Sequence, residues 1–436
     1  MKGILKYFLF LFFFIGDIAF IFSDKGLEDE NKYDSFPLPV SYNITNEHSN
    51  IFSFHNADSI FINFLIKNKI KGASIAIAKE GRLVMAKGYG YANYENEEIV
   101  EPRHIFRIAS VSKLLTAIGI MKLYEEDKLD IHGKVFGKEG YLKDSVYLSK
   151  IKDKRLYNIT IHNLLNHSGG WSRKRPDPMF SYFVIARRLR KELPVNMNDV
   201  MEYTLAKNLD FKPGTKSSYS NFGYALLGKI IEDITNQPYE DYIKENILYP
   251  LGIYDMHLAR SFYHQKHVNE VSYYETGNQR KVPAFNDRKN YVPKAYGGNN
   301  MELIAPTGGW LASPSELMKL LLSIDGFNSK PDILSEETIN MMVDTKDIGV
   351  PYGWKGSSNG FWWRTGTLTG TSALIARQNN ELCWIVLLNT SAKNATRFPR
   401  YVHLTMNKML RSINEWPEYD LFEYDHSKNN SLFAIN

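Results

Sequence analysis

The sequence predicts a mixed α/β (α+β) fold: an antiparallel sheet assembled from the N- and C-terminal parts of the chain, flanked by helices, with a mainly helical region inserted between them. Three observations carry this. Gly72 to Ala78 and Arg82 to Ala86 are β-rich runs on either side of Glu80-Gly81, which is a hairpin signal. Ser372–Arg377 and Leu382–Leu388 are strand-like runs near the other end. Between these two regions the apolar residues recur at helical spacing rather than alternating.

The elements follow in order. After the hairpin, Ser112 to Asp127 carries Leu114, Leu115, Ile118, Met121 and Leu123 at helical spacing. Helical patterns recur at Thr160–Leu165, Phe222–Ile234, Tyr239–Leu248 and Ser315–Leu322, and another follows the last strands at Arg400–Met409. No internal repeat and no low-complexity linker divides the chain, so one catalytic body is expected, with its cleft between the sheet and the inserted helices.

The N-terminus has a different character. Lys2 and Lys6 precede an apolar run from Tyr7 to Phe22 that includes Phe12-Phe13-Phe14-Ile15, the charged and apolar regions of an export signal. Asp17 interrupts the run, whereas a membrane helix needs about 20 apolar residues, so a cleaved signal is preferred to an anchor. Ile21-Phe22-Ser23 ends on a single small residue, which leaves an uncleaved anchor open. Residues 1–23 are therefore expected to be a signal peptide or N-terminal anchor. Residues 24–50 would be an extension, 51–410 the catalytic domain and 411–436 a C-terminal tail. The protein is expected to be exported, to the periplasm or the medium.

Composition bounds the chemistry. The 436 residues are 44% hydrophobic and 14% aromatic, enough to bury a large core and unlike a disordered tail or a fibre. Fifty-three Lys and Arg against 48 Asp and Glu leave +5, too small and diffuse an excess to indicate a nucleic-acid partner. The one cysteine, Cys383, excludes a disulfide framework or a cysteine-based zinc or iron–sulfur site within the chain. Its setting, Leu382-Cys383-Trp384-Ile385-Val386, reads as a strand core.

Three short stretches carry reactive residues. Ser110-Val111-Ser112-Lys113 places a hydroxyl and an amine three residues apart at a helix start, where the two side chains share a face. A serine hydroxyl is a weak nucleophile unless a neighbour takes its proton, and a desolvated lysine can do so. The spacing alone is cheap, because Ser149-Lys150-Ile151-Lys152 repeats it in a polar segment where a solvated face is the ordinary reading. Tyr219-Ser220-Asn221 follows the turn Lys212-Pro213-Gly214-Thr215 and precedes an apolar-periodic helix, which would expose Tyr219 and Asn221 at a loop end. Tyr91-Ala92-Asn93 and Tyr94-Glu95-Asn96 match the same pattern just beyond the hairpin, where a turn or edge-strand role explains them. Arg364-Thr365-Gly366-Thr367 lies on a strand-like stretch, with Gly366 letting a substrate backbone approach, although Arg364 would also serve as a structural arginine on a sheet edge.

Phe106-Arg107-Ile108-Ala109-Ser110-Val111-Ser112-Lys113, then Tyr219-Ser220-Asn221, then Arg364-Thr365-Gly366-Thr367 resemble the three motifs of the serine β-lactamase and penicillin-binding-protein superfamily. The tyrosine-centred middle motif is similar to that of the class C branch, with its related esterases and D-amino-acid peptidases. The resemblance covers roughly residues 51–410, including Leu164 to Gly170 and Gly308-Gly309-Trp310-Leu311. It implies a β-lactamase/transpeptidase-like fold and an acyl-enzyme at Ser110, with Lys113 and Tyr219 moving protons and Asn221 orienting Lys113 and the substrate amide. Backbone N–H groups of Ser110 and Thr367 would form the oxyanion hole, with Arg364, Thr365 and Gly366 lining the substrate. It implies no metal and no cofactor, and His167 is expected to be structural.

The third motif opens with Arg364 where the family usually has Lys, or His in many esterase-like members. A planar guanidinium can hold a carboxylate in a fork, so a small-molecule or peptide acyl substrate bearing a carboxylate is expected, unless Arg364 pairs with a protein carboxylate instead. A peptidase or esterase therefore ranks above a dedicated β-lactamase, with a slowly acylating penicillin sensor or cell-wall-binding protein as the alternative. A basic, aromatic insertion, Arg173-Lys174-Arg175 through Phe180–Ile185 to Arg187–Lys191, would wall the cleft. Its charges would face a cell-wall polymer or a membrane surface, or simply form the solvated side of a helix.

Overall fold

A computed structural model describes residues 37–277, 281–346, 348–392 and 397–424. The expected export segment, residues 1–23, lies outside the described residues. Helix α1 (His55–Asn68) leads into β1 (Gly72–Lys79) and β2 (Arg82–Asn93), followed by β3 (Glu98–Ile99). Next come β4 (Phe106–Arg107), α2 (Ser112–Glu125) and, after a long stretch of short helices, α3 (Asn221–Thr235). The chain then forms β5 (His257–Leu258), β6 (Trp310–Ala312) and β7 (Gly356–Ser358). It closes with β8 (Phe361–Leu368), β9 (Thr371–Arg377), β10 (Leu382–Leu388) and α4 (Phe398–Arg411).

Seven strands form one sheet in the order β7-β8-β9-β10-β1-β2-β3, so the C-terminal strands join the N-terminal hairpin as expected. The junction is antiparallel, running from Ala73 opposite Leu388 to Lys79 opposite Leu382. At the hairpin tip Glu80 and Gly81 have φ of +52° and +74°. Two left-handed residues in succession are what a tight turn needs to match the twist of its strands.

Each central strand feeds two cores, because successive side chains point to opposite faces. Ile75 and Ile77 of β1, with Trp384 and Val386 of β10, pack under α1 and α4 against Phe61, Phe64 and Met406. Ala76 and Ala78, with Cys383, Ile385 and Leu387, face the larger core shared with the inserted helices. Cys383 is wholly buried there, as its setting predicts. A strand covered on both faces reads as a continuous apolar run, which is why β1 and β10 stood out in the sequence.

Three expectations shift. The helix expected over Tyr239–Leu248 is α-helical only to Ile243 and continues as a π-turn over Lys244–Leu248. Tyr91-Ala92-Asn93 is the end of β2 itself rather than a segment beyond the hairpin. The folded body also extends past both expected edges of the 51–410 domain. Strand β3 pairs only with the end of β2, at Tyr91 and Asn93, so backbone groups earlier along that edge need other partners. Residues assigned to the extension and tail supply them: Ser49 Oγ accepts from Ala86 N–H (3.0 Å), Asn46 Oδ1 from Gly88 N–H (2.7 Å) and Asp420 Oδ1 from Leu83 N–H (3.0 Å). Ile44 and Leu421 are correspondingly buried, each 1% exposed.

Candidate active site

The site is built around the turn that carries Ser110. Strand β4 pairs with β6, and Ile108 N–H donates to Trp310 O (3.0 Å), fixing the chain up to residue 108. A single 3₁₀ turn over Ala109–Val111 then opens α2. Ala109, buried and immediately before the serine, has φ of +48°, a backbone conformation that costs a non-glycine residue about 1–3 kcal/mol. Ser112 holds this turn by donating from Oγ to Ala109 O (2.7 Å) while accepting from Trp310 N–H (3.2 Å).

Strand β8 closes the other side of the turn. A Cβ on Gly366 would lie 2.1 Å from Ile108 O and 3.0 Å from Ser110 N. The close approach expected at Gly366 is therefore made by the chain's own Ser110 turn, not by a substrate backbone.

Three motifs converge as the sequence suggests. Ser110 is half-buried, and its Oγ lies 2.7 Å from Tyr219 Oη. Lys113 is wholly buried in the first turn of α2, and its Nζ donates to Thr307 O (2.6 Å), Asn221 Oδ1 (2.7 Å) and, more distantly, Ser110 Oγ (3.5 Å). Tyr219 reaches the serine because the Leu164–Gly170 segment props its loop. Ser218 N–H donates to His167 O (2.9 Å), Gly214 N–H to Ser168 O (3.0 Å) and Ser220 N–H to His167 Nδ1 (3.3 Å), and the His167 ring lies 4.7 Å from that of Tyr219. Ser220 Oγ caps α3 by accepting from Gly223 N–H (3.1 Å), so the helix starts directly after the tyrosine.

Arg364 does not face the open cleft. It is 1% exposed; its Nε donates to Ser110 O (2.8 Å), Nη1 to Trp354 O (3.3 Å) and Nη2 to Tyr219 Oη (3.3 Å). Of the readings offered by the sequence, the structural arginine is the one this setting matches: the fork engages two backbone carbonyls and the phenol, and no protein carboxylate among the described residues. The cause is strand alternation, which puts Arg364 and Gly366 on the face of β8 turned toward the Ser110 turn, and Thr365 and Thr367 on the half-buried opposite face.

The open edge of β8 presents backbone donors. Trp363 O accepts from Lys355 N–H, and β7 pairs only as far as Trp363. By the two-residue alternation, Thr365 and Thr367 direct their backbone groups to that same side, past the end of β7. Thr367 N–H is thus on the edge past the end of β7.

The electrostatics follow from burial plus crowded positive charge. Burial pushes Lys113 down to about 8, with the Arg364 charge acting in the same direction. Burial alone would raise the Tyr219 phenol, but the charges of Lys113 and Arg364 and the bonds to Lys113 and Ser110 pull it down to about 8. His167 is held well below its ordinary value by burial and by Arg364, Lys113 and Lys355, so it is a neutral prop and an acceptor for Ser220.

Sequence reasoning missed two participants, Asp177 and Lys355. Asp177 accepts from Asn221 Nδ2 through Oδ2 (2.7 Å) while its Oδ1 caps the turn at Pro178–Phe180 by accepting from Met179 N–H (3.0 Å). Its only signal was Asp-Pro, a helix-start pair lost in a basic stretch. Lys355 and Arg173 are exposed cations near the Tyr219 ring, with Nζ 5.8 Å and Cζ 6.0 Å from its centroid. The remainder of the insertion has the solvated character weighed for it: Arg187, Arg188, Arg190 and Lys191 are all exposed.

The chain is similar to known proteins. The chain is 32% identical over 236 residues to Protein flp of Staphylococcus aureus (strain MW2), an alignment covering 52% of this chain and 43% of that protein. The chain thus spans under half the length of that relative. Among solved structures, an octameric penicillin-binding protein homologue from Pyrococcus abyssi is 26% identical with a TM-score of 0.59, covering 81% of this chain and 77% of that one. D-amino acid amidase from Ochrobactrum anthropi SV3 shares the fold at 19% identity with a TM-score of 0.64, covering 82% of this chain and 98% of that one. The family model described as Beta-lactamase matches residues 57–404, which includes all three convergent motifs. By that match the chain belongs to the beta-lactamase family.

Proposed function

We propose that this chain is an exported serine hydrolase that forms an acyl-enzyme at Ser110 and releases the acyl group to water, acting on an amide or ester. The observation that carries this reading is the 2.7 Å contact between Ser110 Oγ and a phenol crowded by the buried cations Lys113 and Arg364. In the acylation step, ionised Tyr219 takes the hydroxyl proton as Oγ bonds to the acyl carbon, and the carbonyl electrons move to oxygen. The N–H groups of Ser110 and Thr367 receive that oxyanion, each donor worth about 10²–10³ in rate in other serine hydrolases. Collapse breaks the bond to the leaving group, which takes the proton from Tyr219. Deacylation repeats the sequence with water in place of serine.

Lys113 keeps Tyr219 ionisable, and Asn221 keeps Lys113 in place. Arg364 contributes from below: it holds the Ser110 carbonyl and sets positive charge against the phenol. The charge of a carboxylate-bearing substrate falls instead to Lys355 and Arg173 beside the Tyr219 ring, where partial desolvation of the Lys355 amine and then the charges of Arg364 and Arg173 hold its pKa below the ordinary lysine value. Two such cations, without an ion-pair partner among the described residues, favour an anionic acyl donor such as a peptide ending in a free carboxylate. That chemistry fits work on cell-wall peptides outside the cytoplasm.

Intact mass after incubation with a fluorophosphonate, a β-lactam and a p-nitrophenyl ester tests the reading. Wild type is expected to gain one adduct that Ser110→Ala lacks; an unchanged mass with every donor, or an adduct surviving in Ser110→Ala, overturns it. A lasting penicillin adduct with no ester turnover would instead identify a sensor. Lys355→Ala is expected to weaken turnover of carboxylate-bearing donors more than that of neutral ones, and equal losses would remove the anionic preference.

A further inference from the structure

We infer that Asp177 is a positioning residue of this site: it fixes the orientation of the Asn221 amide and, through it, the placement and charge state of Lys113. The inference rests on the acyl-enzyme reading above and extends it to a residue outside the three motifs.

Asn221 is pinned from both ends. Lys113 Nζ carries only donors and meets Asn221 Oδ1 at 2.7 Å, whereas the Asp177 carboxylate carries only acceptors and meets Asn221 Nδ2 at 2.7 Å. A flipped amide would turn its NH₂ to the ammonium and its oxygen to the carboxylate, losing both bonds and placing like partners together. Only one orientation is compatible with the two neighbours. Lys113 is thereby tied to a carboxylate through one amide, in a site where its Nζ also donates to Thr307 O and Ser110 Oγ.

The charge effect acts in a defined direction. The groups facing Lys113 are Tyr219 and Asn221 from the middle motif, Arg364 from β8, Asp177 from the insertion, and the aromatic ring of Tyr224 on α3, 5.6 Å from Nζ. His167, neutral, also feels the Lys113 charge. Of these neighbours Asp177 is the carboxylate, and its negative charge favours the ammonium against burial and against Arg364. Removing that charge makes the ammonium easier to deprotonate.

Asp177→Asn separates this role from helix capping. Asparagine caps as well as aspartate does, so the bond to Met179 N–H can persist while the charge and the acceptor for Asn221 are lost. Two measurements on the full chain decide the matter. The first follows titration of the Lys113 ammonium by ¹⁵Nζ lysine NMR, assigned by its absence in Lys113→Arg, and needs no substrate. Its midpoint is expected to move to lower pH in Asp177→Asn; an unmoved midpoint overturns the inference. The second is the pH profile of p-nitrophenyl ester turnover, normalised to sites titrated with a fluorophosphonate. Turnover is expected to fall by up to about 10²-fold on the plateau, with the acid limb displaced to lower pH. A variant that loses only thermal stability while keeping the wild-type profile would show capping alone and overturn the inference. If wild type forms no adduct at Ser110, the hydrolase reading fails while the lysine titration still judges Asp177.

Discussion

Ser110-Val111-Ser112-Lys113 and Ser149-Lys150-Ile151-Lys152 share one spacing and nothing else. In the first, the lysine is wholly buried, its amine meets a carbonyl, an amide oxygen and the serine, and the serine touches a phenol. In the second, Ser149 and Lys152 are both exposed, and the Ser149 hydroxyl is spent on the carbonyl of Val146 (2.9 Å). The pair of side chains is the same; what differs is water. An amine becomes a usable base, and a hydroxyl a usable nucleophile, only where burial penalises charge and neighbours are fixed at bonding distance. The catalytic content of the pattern lies in the strands and helices around it.

The largest expected effect tests this contrast by removing each hydroxyl in turn. Ser110→Ala is expected to abolish ester turnover by at least about 10⁴-fold and to remove the covalent adduct, as removal of the nucleophile does in other serine hydrolases. Ser149→Ala is expected to leave both unchanged. Comparable losses from the two variants in a steady-state assay would show that the company each serine keeps does not matter.

Next comes the scaffold that creates the difference. Gly366→Ala forces a Cβ to within 2.1 Å of Ile108 O, and that contact is backbone, which cannot swing aside. The Ser110 turn must move, so turnover is expected to fall by about 10²-fold and stability by about 1–3 kcal/mol, read from site-normalised kinetics and denaturant unfolding. Full activity in this variant would mean that the serine does not depend on the β8 contact.

This glycine also shows what was and was not legible beforehand. Continuous β-rich runs and the Glu80-Gly81 turn made the sheet readable, because β1 and β10 are apolar on both faces and so announce themselves. The three motifs were readable because they combine unusual side chains with helix-start, loop and strand settings. Their directions were not. Alternation states that Arg364 and Gly366 share a face, yet not which face meets the Ser110 turn, so a buried tether was read as a substrate clamp. Asp177 was hidden for a related reason: a hydrogen bond to Asn221 joins positions far apart in the chain and leaves no periodic trace. The same holds for Asn46, Ser49 and Asp420 on the β2 edge, where single side chains replace a strand.

A smaller effect sharpens the electrostatic half of the contrast. Lys113 and Tyr219 each lie near about 8, and because they are coupled the apparent midpoint belongs to the pair. Turnover is therefore expected to rise with pH through about 8 as the pair gives up a proton. Arg364 favours the phenolate and disfavours the ammonium, so for both groups its charge promotes proton loss. Arg364→Gln is expected to move the acid limb to higher pH, opposite to Asp177→Asn. Limbs that move together, or not at all, would separate the proton transfer from this cationic cluster.

The smallest expected effect is at Lys152. An exposed amine in water gains little from any neighbour, and holding its long side chain in one place would cost rotamer freedom. Lys152→Met is expected to change stability by less than about 0.5 kcal/mol and to leave ester turnover unaltered. Lys113→Met places an equally long apolar side chain where Thr307 O and Asn221 Oδ1 now lose their donor, so it is expected to remove turnover while the fold, seen by circular dichroism, persists. A paired comparison of the two variants isolates setting from sequence, since the substitution is identical and the spacing to serine is identical. If Lys152→Met impaired turnover as Lys113→Met does, the second serine–lysine pair would have to approach the site in solution, and burial would no longer explain why only one of them works.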